Sequence, residues 1–454
     1  MKRKSLVAGL GIDTKQQDQQ LLSKVASAKP AQKVMRGNNI TSIIEEIKIK
    51  VNKYLGKYKD KVKSCRDEKE LEEYIDKIIK NNVAGLDTET TGLDCLVDEV
   101  VGTCLYTPGE KAIYIPHKHK SYITGQYLQN QISYAFMQSQ FQRLKDNGIK
   151  LIFHNAKFDI RMINSNMNIN LDAFWDTMIA AKLLNNLEEA NLKYQYSKHI
   201  QQEEKSYDFG KLFNTIEFAF VPVETATLYA ATDALITLEL QQYQAKEFEK
   251  YPSIYKVFTD IEMPVLPVVA EMENNGVSLD LDKAKELSVK YHKLLDEAEK
   301  KVDKCIAEYK SAIMRYKVKF PAAKIDYPLN VASPTQLAIL LYDILRCDVV
   351  DKKKPRGTGE DILEKLNLPI CKAILEYRGI AKLLSTYIDK LPQTINAKTK
   401  RIHASFNQIG ADTGRFSSSD PKSKLGHIVV TLYRKFRELR ENGLPNYTTI
   451  LNQA

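Results

Sequence analysis

The chain has 454 residues, 43% of them hydrophobic and 27% charged, a globular make-up too long for one ordinary core and suited to two or three domains. Its formal net charge of +10 favours a polyanionic partner, and its six scattered cysteines carry no CxxC pair, which argues against a zinc ribbon or a disulfide framework. No apolar run approaches the ~18 residues of a membrane helix, and the short apolar stretch after Met1 stops at Asp13, so neither a membrane span nor a secretory leader is expected.

In chain order, residues 1–38 are polar and contain the run QQDQQ, which predicts disorder or loose helix. From Ile40 to Lys80 the apolar positions Ile43, Ile44, Ile47, Val51 and Leu55 recur at helical intervals among charges. The texture changes at Val83. Val83–Leu86, Val100–Tyr106 and Ala112–Ile115 read as strands, the last two joined by a turn at Pro108–Gly109. A fourth strand, Lys150–His154, leads into a helix beginning near Asn155, and helical texture then runs to about residue 250. A sheet followed by helices with a strand–helix crossover is an α/β layer architecture. A second, mostly helical domain begins near Tyr251, with a long helix over 281–318, a helix start at Ser333–Pro334, a basic loop at Lys352–Gly359 and a helix over Ile374–Tyr387.

Three local patterns carry chemistry. Asp87 and Glu89, two apart at a strand end, point to one face of the sheet and repel each other unless a cation lies between them. Asn155 follows a strand and is placed to cap the next helix, with Phe158 and Asp159 one turn later. Tyr229 and Asp233 stand at i,i+4 on one helix face. Each pattern alone is as compatible with a solvated acidic pair, an incidental Asp or a surface Tyr–Asp pair. Together, four carboxylates suit hard divalent cations bound through oxygen, and two such ions about 3.5–4 Å apart can drive in-line attack on a phosphodiester. Tyr229, with an ordinary pKa of about 10, would orient water rather than act as a strong base.

In order and spacing, the segments GLDTETTGLD, FHNAKFDI and LYAATDALIT resemble the 3′→5′ exonuclease motifs of the DEDD superfamily, of the subtype with tyrosine in the third motif. They look like the proofreading domain of bacterial and phage DNA polymerase I-like enzymes. The resemblance implies a ribonuclease H-like fold, two Mg²⁺ or Mn²⁺ ions held by Asp87, Glu89, Asp159 and Asp233, and a single-strand cleft lined by Thr88, Asn155 and Phe158. Asp176, in WDTMIAAKLL, falls where that family often has Asp-Thr and is assigned a structural role.

Residues 261–421 resemble the family A polymerase segments that join exonuclease to thumb and enter the palm, most specifically in RIHASFNQIGADTGRFSSSDP. The resemblance sets His403, Asn407, Gln408, Thr413, Gly414 and Arg415 near a primer–template, where Asn, Gln and Arg can reach phosphates and minor-groove acceptors without sequence choice. The cations of Lys352–Arg356 suit a duplex backbone, or equally a solvated loop tip. After Pro421 the expected NLQNIP and the palm and fingers motifs do not follow. The expected layout is therefore an N-terminal extension (1–80), an exonuclease domain (81–250), a thumb with an incomplete palm (251–421) and a non-family tail (422–454). In the tail, Val429, Leu432, Phe436 and Leu439 share a helix face. The reading is a proofreading exonuclease acting on DNA in a bacterial or phage-infected cytoplasm, unable to polymerise alone. The alternatives are one half of a split polymerase whose partner chain carries palm and fingers, an idle nucleic-acid-binding module, and an RNA-trimming nuclease.

Overall fold

The computed structural model describes residues 38–201, 213, 216–411 and 414–418. The expectations for residues 1–37, for Thr413 and for the tail helix lie outside the described residues. The described residues fall into two compact units, one within 1–275 together with 407–417, the other within 276–406 together with 418.

The first unit is built on a six-stranded mixed sheet: β1 (Val62–Ser64), β2 (Val83–Thr90), β3 (Val100–Tyr106), β4 (Ala112–Pro116), β5 (Lys150–Phe153) and β6 (Trp175–Asp176), in spatial order β1-β4-β3-β2-β5-β6. The hairpin partners β2/β3 and β3/β4 are antiparallel, while β1/β4, β2/β5 and β5/β6 are parallel. One face carries Leu86, Leu105, Ile113 and Ile115, covered by α2 (Glu68–Asn81), α3 (Tyr134–Asp146) and α4 (Ala156–Met167). The other carries Cys104, Ala112 and Tyr114, covered by α1 (Asn38–Leu55) and the long α7 (Val223–Glu249). Between α4 and α7 lie the short helices α5 (Thr177–Leu184) and α6 (Leu192–Tyr196).

α7 turns the small side chains Ala226, Ala230, Ala231 and Ala234 into this core, so its backbone approaches the strands closely. The boundary expected at residue 81 falls inside this unit. Residues 62–64 form the edge strand β1, and Ile47, Val51 and Leu55 of α1 are buried against the sheet. Three residues of strand leave too short a pattern to read from sequence.

The expected boundary near Tyr251 also falls inside the unit. α8 (Pro252–Val257) and α9 (Met263–Asn275) continue the same core through an aromatic cluster in which Trp175 lies 4.6 Å from Phe258 and 5.6 Å from Phe248. The indole N–H of Trp175 donates to Gln244 on α7 at 3.1 Å.

The second unit is helical. The stretch expected as one helix over 281–318 divides at Tyr309 (φ −98°, ψ 4°) into α10 (Leu281–Glu308) and α11 (Lys310–Lys319). α12 (Pro334–Ala338) starts at the expected Ser333, whose hydroxyl accepts from the Gln336 N–H. α13 (Glu360–Leu366) follows the basic loop, and α14 (Pro369–Leu383) begins five residues before the expected Ile374 because Pro369 takes a first-turn position. Val302 and Ile306 of α10 share a core with Ile370 and Ile374 of α14. No helix among the described residues is long and apolar enough to cross a membrane.

Candidate active site

Strand alternation puts Gly85, Asp87 and Glu89 on the face that α7 covers. Gly85 is the contact point. A Cβ there would lie 2.3 Å from the Ala234 carbonyl oxygen and 3.3 Å from Leu238 Cβ, so only glycine admits α7 at this distance. Asp233, the residue before Ala234, is thereby brought to the carboxylates of β2. One oxygen from each of Asp87, Glu89 and Asp233 lies within 4.8 Å of the others. A single ion with oxygen bonds of about 2.0–2.6 Å would span such a group, so the donor set fits a hard divalent cation. Burial pushes the Asp87 carboxyl up to about 6, and burial together with the Asp87 charge pushes Glu89 well above the usual range.

Tyr229, one turn before Asp233 on α7, is half-buried with its ring 4.7 Å from Phe213 and 6.3 Å from Phe218. The i,i+4 reading of this pair therefore describes the helix as folded.

Asp159 approaches from the other side of β2. It is 2% exposed, and its Oδ1 accepts from the Thr88 hydroxyl at 2.6 Å. Burial, then the nearby Asp87 charge, raises its carboxyl well above the usual range. The structure thus draws three of the four expected carboxylates into one group and holds the fourth behind the strand on Thr88. Thr88 itself is 7% exposed with its hydroxyl committed, so the expectation that it lines a cleft is corrected: its side chain belongs to Asp159.

The expected Asn155 cap is also corrected. Asn155 has a left-handed backbone (φ 72°) and its side chain makes no cap. The carboxylate of Asp176, from the neighbouring strand, accepts instead from the Asn155 and Ala156 N–H groups at 3.1 and 2.8 Å, and from Met178 and Ile179 of α5. One buried carboxylate therefore ties together the starts of two helices and sets where Asp159 stands. Asn155 and Phe158 are half-buried beside it, with Phe158 packed on the core.

One residue escaped the sequence reading. Lys193 on α6 forms an ion pair with Asp233, and its ammonium lies 5.0 Å from the centre of the Tyr229 ring. Burial lowers its pKa to about 8 against the opposing pull of Asp87 and Glu89. No spacing rule links residues forty apart, and a lysine on a short helix reads as surface. The one available signal was Asn191, whose side chain caps α6 and fixes the turn that carries Lys193.

The residues expected at a primer–template divide between the units. In the first, Asn407 and Arg415 are exposed, whereas the Gln408 amide donates to Glu262 at 2.6 Å. In the second, His403 is hydrogen-bonded to the Thr399 hydroxyl at 2.7 Å. There Arg356 is engaged in a two-armed pair with Asp343 at 2.7 and 2.8 Å, while Lys352, Lys353 and Lys354 are exposed.

The α/β layers and the acidic group define a nuclease-type domain, and residues 62–249 match the family model for 3′-5′ exonuclease. Residues 292–441 match DNA polymerase family A, so this stretch belongs to that family, and the chain carries an exonuclease domain followed by part of the polymerase region. The second match runs past Pro421, where the sequence reading ended the resemblance. Among similar proteins, DNA polymerase I of Pseudomonas aeruginosa is 32% identical over 385 residues, covering 82% of this chain and 39% of its own length. DNA polymerase I of Borreliella burgdorferi is 31% identical over 389 residues, covering 84% and 40%. The chain thus spans about two fifths of the length of these curated relatives. A solved structure, the POL domain of Pol1 from M. smegmatis in complex with DNA primer-template and dNTP, matches with a TM-score of 0.60 at 20% identity, over 79% of this chain and 55% of that one, a likeness of fold.

Proposed function

We propose that the first unit is a metal-dependent 3′→5′ exonuclease that removes nucleoside 5′-monophosphates from DNA ends. The observation that carries this reading is the meeting of Asp87 and Glu89 with Asp233, which is distant in sequence, their oxygens lying within 4.8 Å of one another. Two Mg²⁺ or Mn²⁺ ions would supply an ionised water at neutral pH and stabilisation of the leaving 3′ oxygen. Asp87, Glu89 and Asp233 would hold one ion, and Asp159 would join Asp87 at the second once released from Thr88. The phenol of Tyr229, on the same helix face as Asp233, orients the attacking water. Asn155 and Phe158 border the path of the strand. Exposed Asn407 and Arg415 and the lysines at 352–354 are the proposed contacts to DNA phosphates. His403 and Gln408, whose side chains bond within the protein, take at most a supporting part.

The test is a 5′-labelled single-stranded DNA oligonucleotide incubated with the chain in magnesium, in manganese and in chelator, beside an RNA of the same sequence. The expected result is stepwise shortening of the DNA from its 3′ end with either metal, and at least about a hundredfold loss in Asp87→Ala, since even outer residues of metal sites cost about 10–100-fold. DNA left intact with both metals refutes the proposal, and preferential shortening of the RNA refutes the assignment of substrate.

A further inference from the structure

We propose that Lys193 is the resident counter-cation of the metal-free site, its ammonium standing on Asp233 where a divalent ion is to bind and having to leave when that ion arrives. The inference rests on the metal-dependent reading above and goes beyond it by naming what the ion must displace.

Four observations point the same way. Lys193 and Asp233 form an ion pair with both side chains mostly enclosed, 15% and 11% exposed. The ammonium, which has three N–H donors, meets no acceptor in hydrogen-bonding geometry among the described residues, and neither does the Asp233 oxygen it faces meet a donor. It is therefore incompletely coordinated. The Tyr229 ring, 5.0 Å away, offers a second resting place of the kind that attracts cations. Finally, the backbone of α6 is fixed by the Asn191 side chain, which accepts from the Lys193 and Tyr194 N–H groups at 3.0 and 3.2 Å, and by burial of Leu192 and Tyr196. The helix that carries Lys193 is thus capped and packed, and the four-carbon stem supplies the freedom for the ammonium to move.

The charge balance gives the direction of exchange. Three carboxylates crowd the site, and one ammonium offsets only one of their charges. A divalent ion offsets two and accepts several oxygens at once, so it prevails when present.

The experiment uses the full chain with Lys193→Met, which keeps length and removes charge, and Lys193→Arg, which keeps charge and grips a carboxylate with two N–H groups. Mn²⁺ affinity is measured by titration calorimetry and thermal melting is followed in chelator. Lys193→Met is expected to melt below wild type in chelator and to bind Mn²⁺ about tenfold tighter or more, because a neighbouring positive charge has been removed. Lys193→Arg is expected to keep the metal-free melting temperature and bind Mn²⁺ several-fold more weakly. Wild-type Mn²⁺ affinity in Lys193→Met overturns the proposal while leaving the metal-dependent reading in place. Should Lys193→Met not fold in chelator, Lys193→Arg decides alone, and unchanged affinity there overturns the proposal too. A wild-type chain that binds no Mn²⁺ sinks both readings.

Discussion

Replacing Gly85 with alanine tests the contact on which the whole site depends. The added Cβ would stand 2.3 Å from the Ala234 carbonyl oxygen, backbone that cannot rotate away. An ordinary carbon–oxygen contact is about 1 Å longer, so α7 must retreat from β2 by roughly that amount. Overpacking of this kind costs about 1–3 kcal/mol. At about 2–4 °C per kcal/mol for a domain of this size, a central value of 2 kcal/mol lowers the melting temperature by about 4–8 °C. Asp233 moves with α7 and leaves the oxygens of Asp87 and Glu89. A misplacement of about 1 Å can cost about a hundredfold in rate, so the loss of exonuclease activity should exceed what the stability change alone explains at a temperature where the variant is folded. The assay is thermal melting beside the DNA-shortening rate, with Gly56→Ala as control because nothing lies within 4 Å of a Cβ at that position. Gly85→Ala with wild-type melting temperature and wild-type rate would refute the claim that this close approach builds the site.

Three further outcomes are expected. Thr88→Val keeps shape but strips Asp159 of its hydroxyl donor; a cost of about 1–3 kcal/mol in thermal or denaturant unfolding is expected, and an unchanged midpoint would contradict the role given to Thr88. Glu273 is fully buried against Lys157 and Arg161 of α4, so Glu273→Ala removes the buried carboxylate that both cations share and should cost about 3–5 kcal/mol and slow the nuclease through a displaced α4; a neutral result in both assays counts against this. His117 and His119 are held neutral by burial, each lowered from 6.5 to about 4, with Nδ1 toward the Ile132 and Val221 carbonyls and Nε2 toward the Thr103 and Tyr114 hydroxyls. Because the unfolded chain takes up these protons first, stability present above pH 6.5 is lost as pH falls toward 4, by on the order of 3 kcal/mol per histidine at the acid limit. Melting temperature measured across that window should fall in the wild type and fall less in His119→Gln, and parallel profiles would exclude His119 as a source.

Much of this protein could be read before folding because its signals are local. Asp87 and Glu89 share a face by strand alternation, Tyr229 and Asp233 by helical spacing, and the strands at 83, 100, 112 and 150 stand out by composition. Tertiary structure alone decided what depends on approach between distant segments. Asp233 reaches β2 because Gly85 has no side chain, and Asp159 turns to Thr88 because β2 passes between it and α7. The start of α4 is held by Asp176 rather than by Asn155, since a full carboxylate from the next strand reaches two N–H groups that the left-handed Asn155 cannot. Lys193 belongs to the acidic group only because α6 packs on α7. Periodicity records which face a residue shares with its near neighbours; it holds no record of which charge arrives from forty residues away to neutralise it.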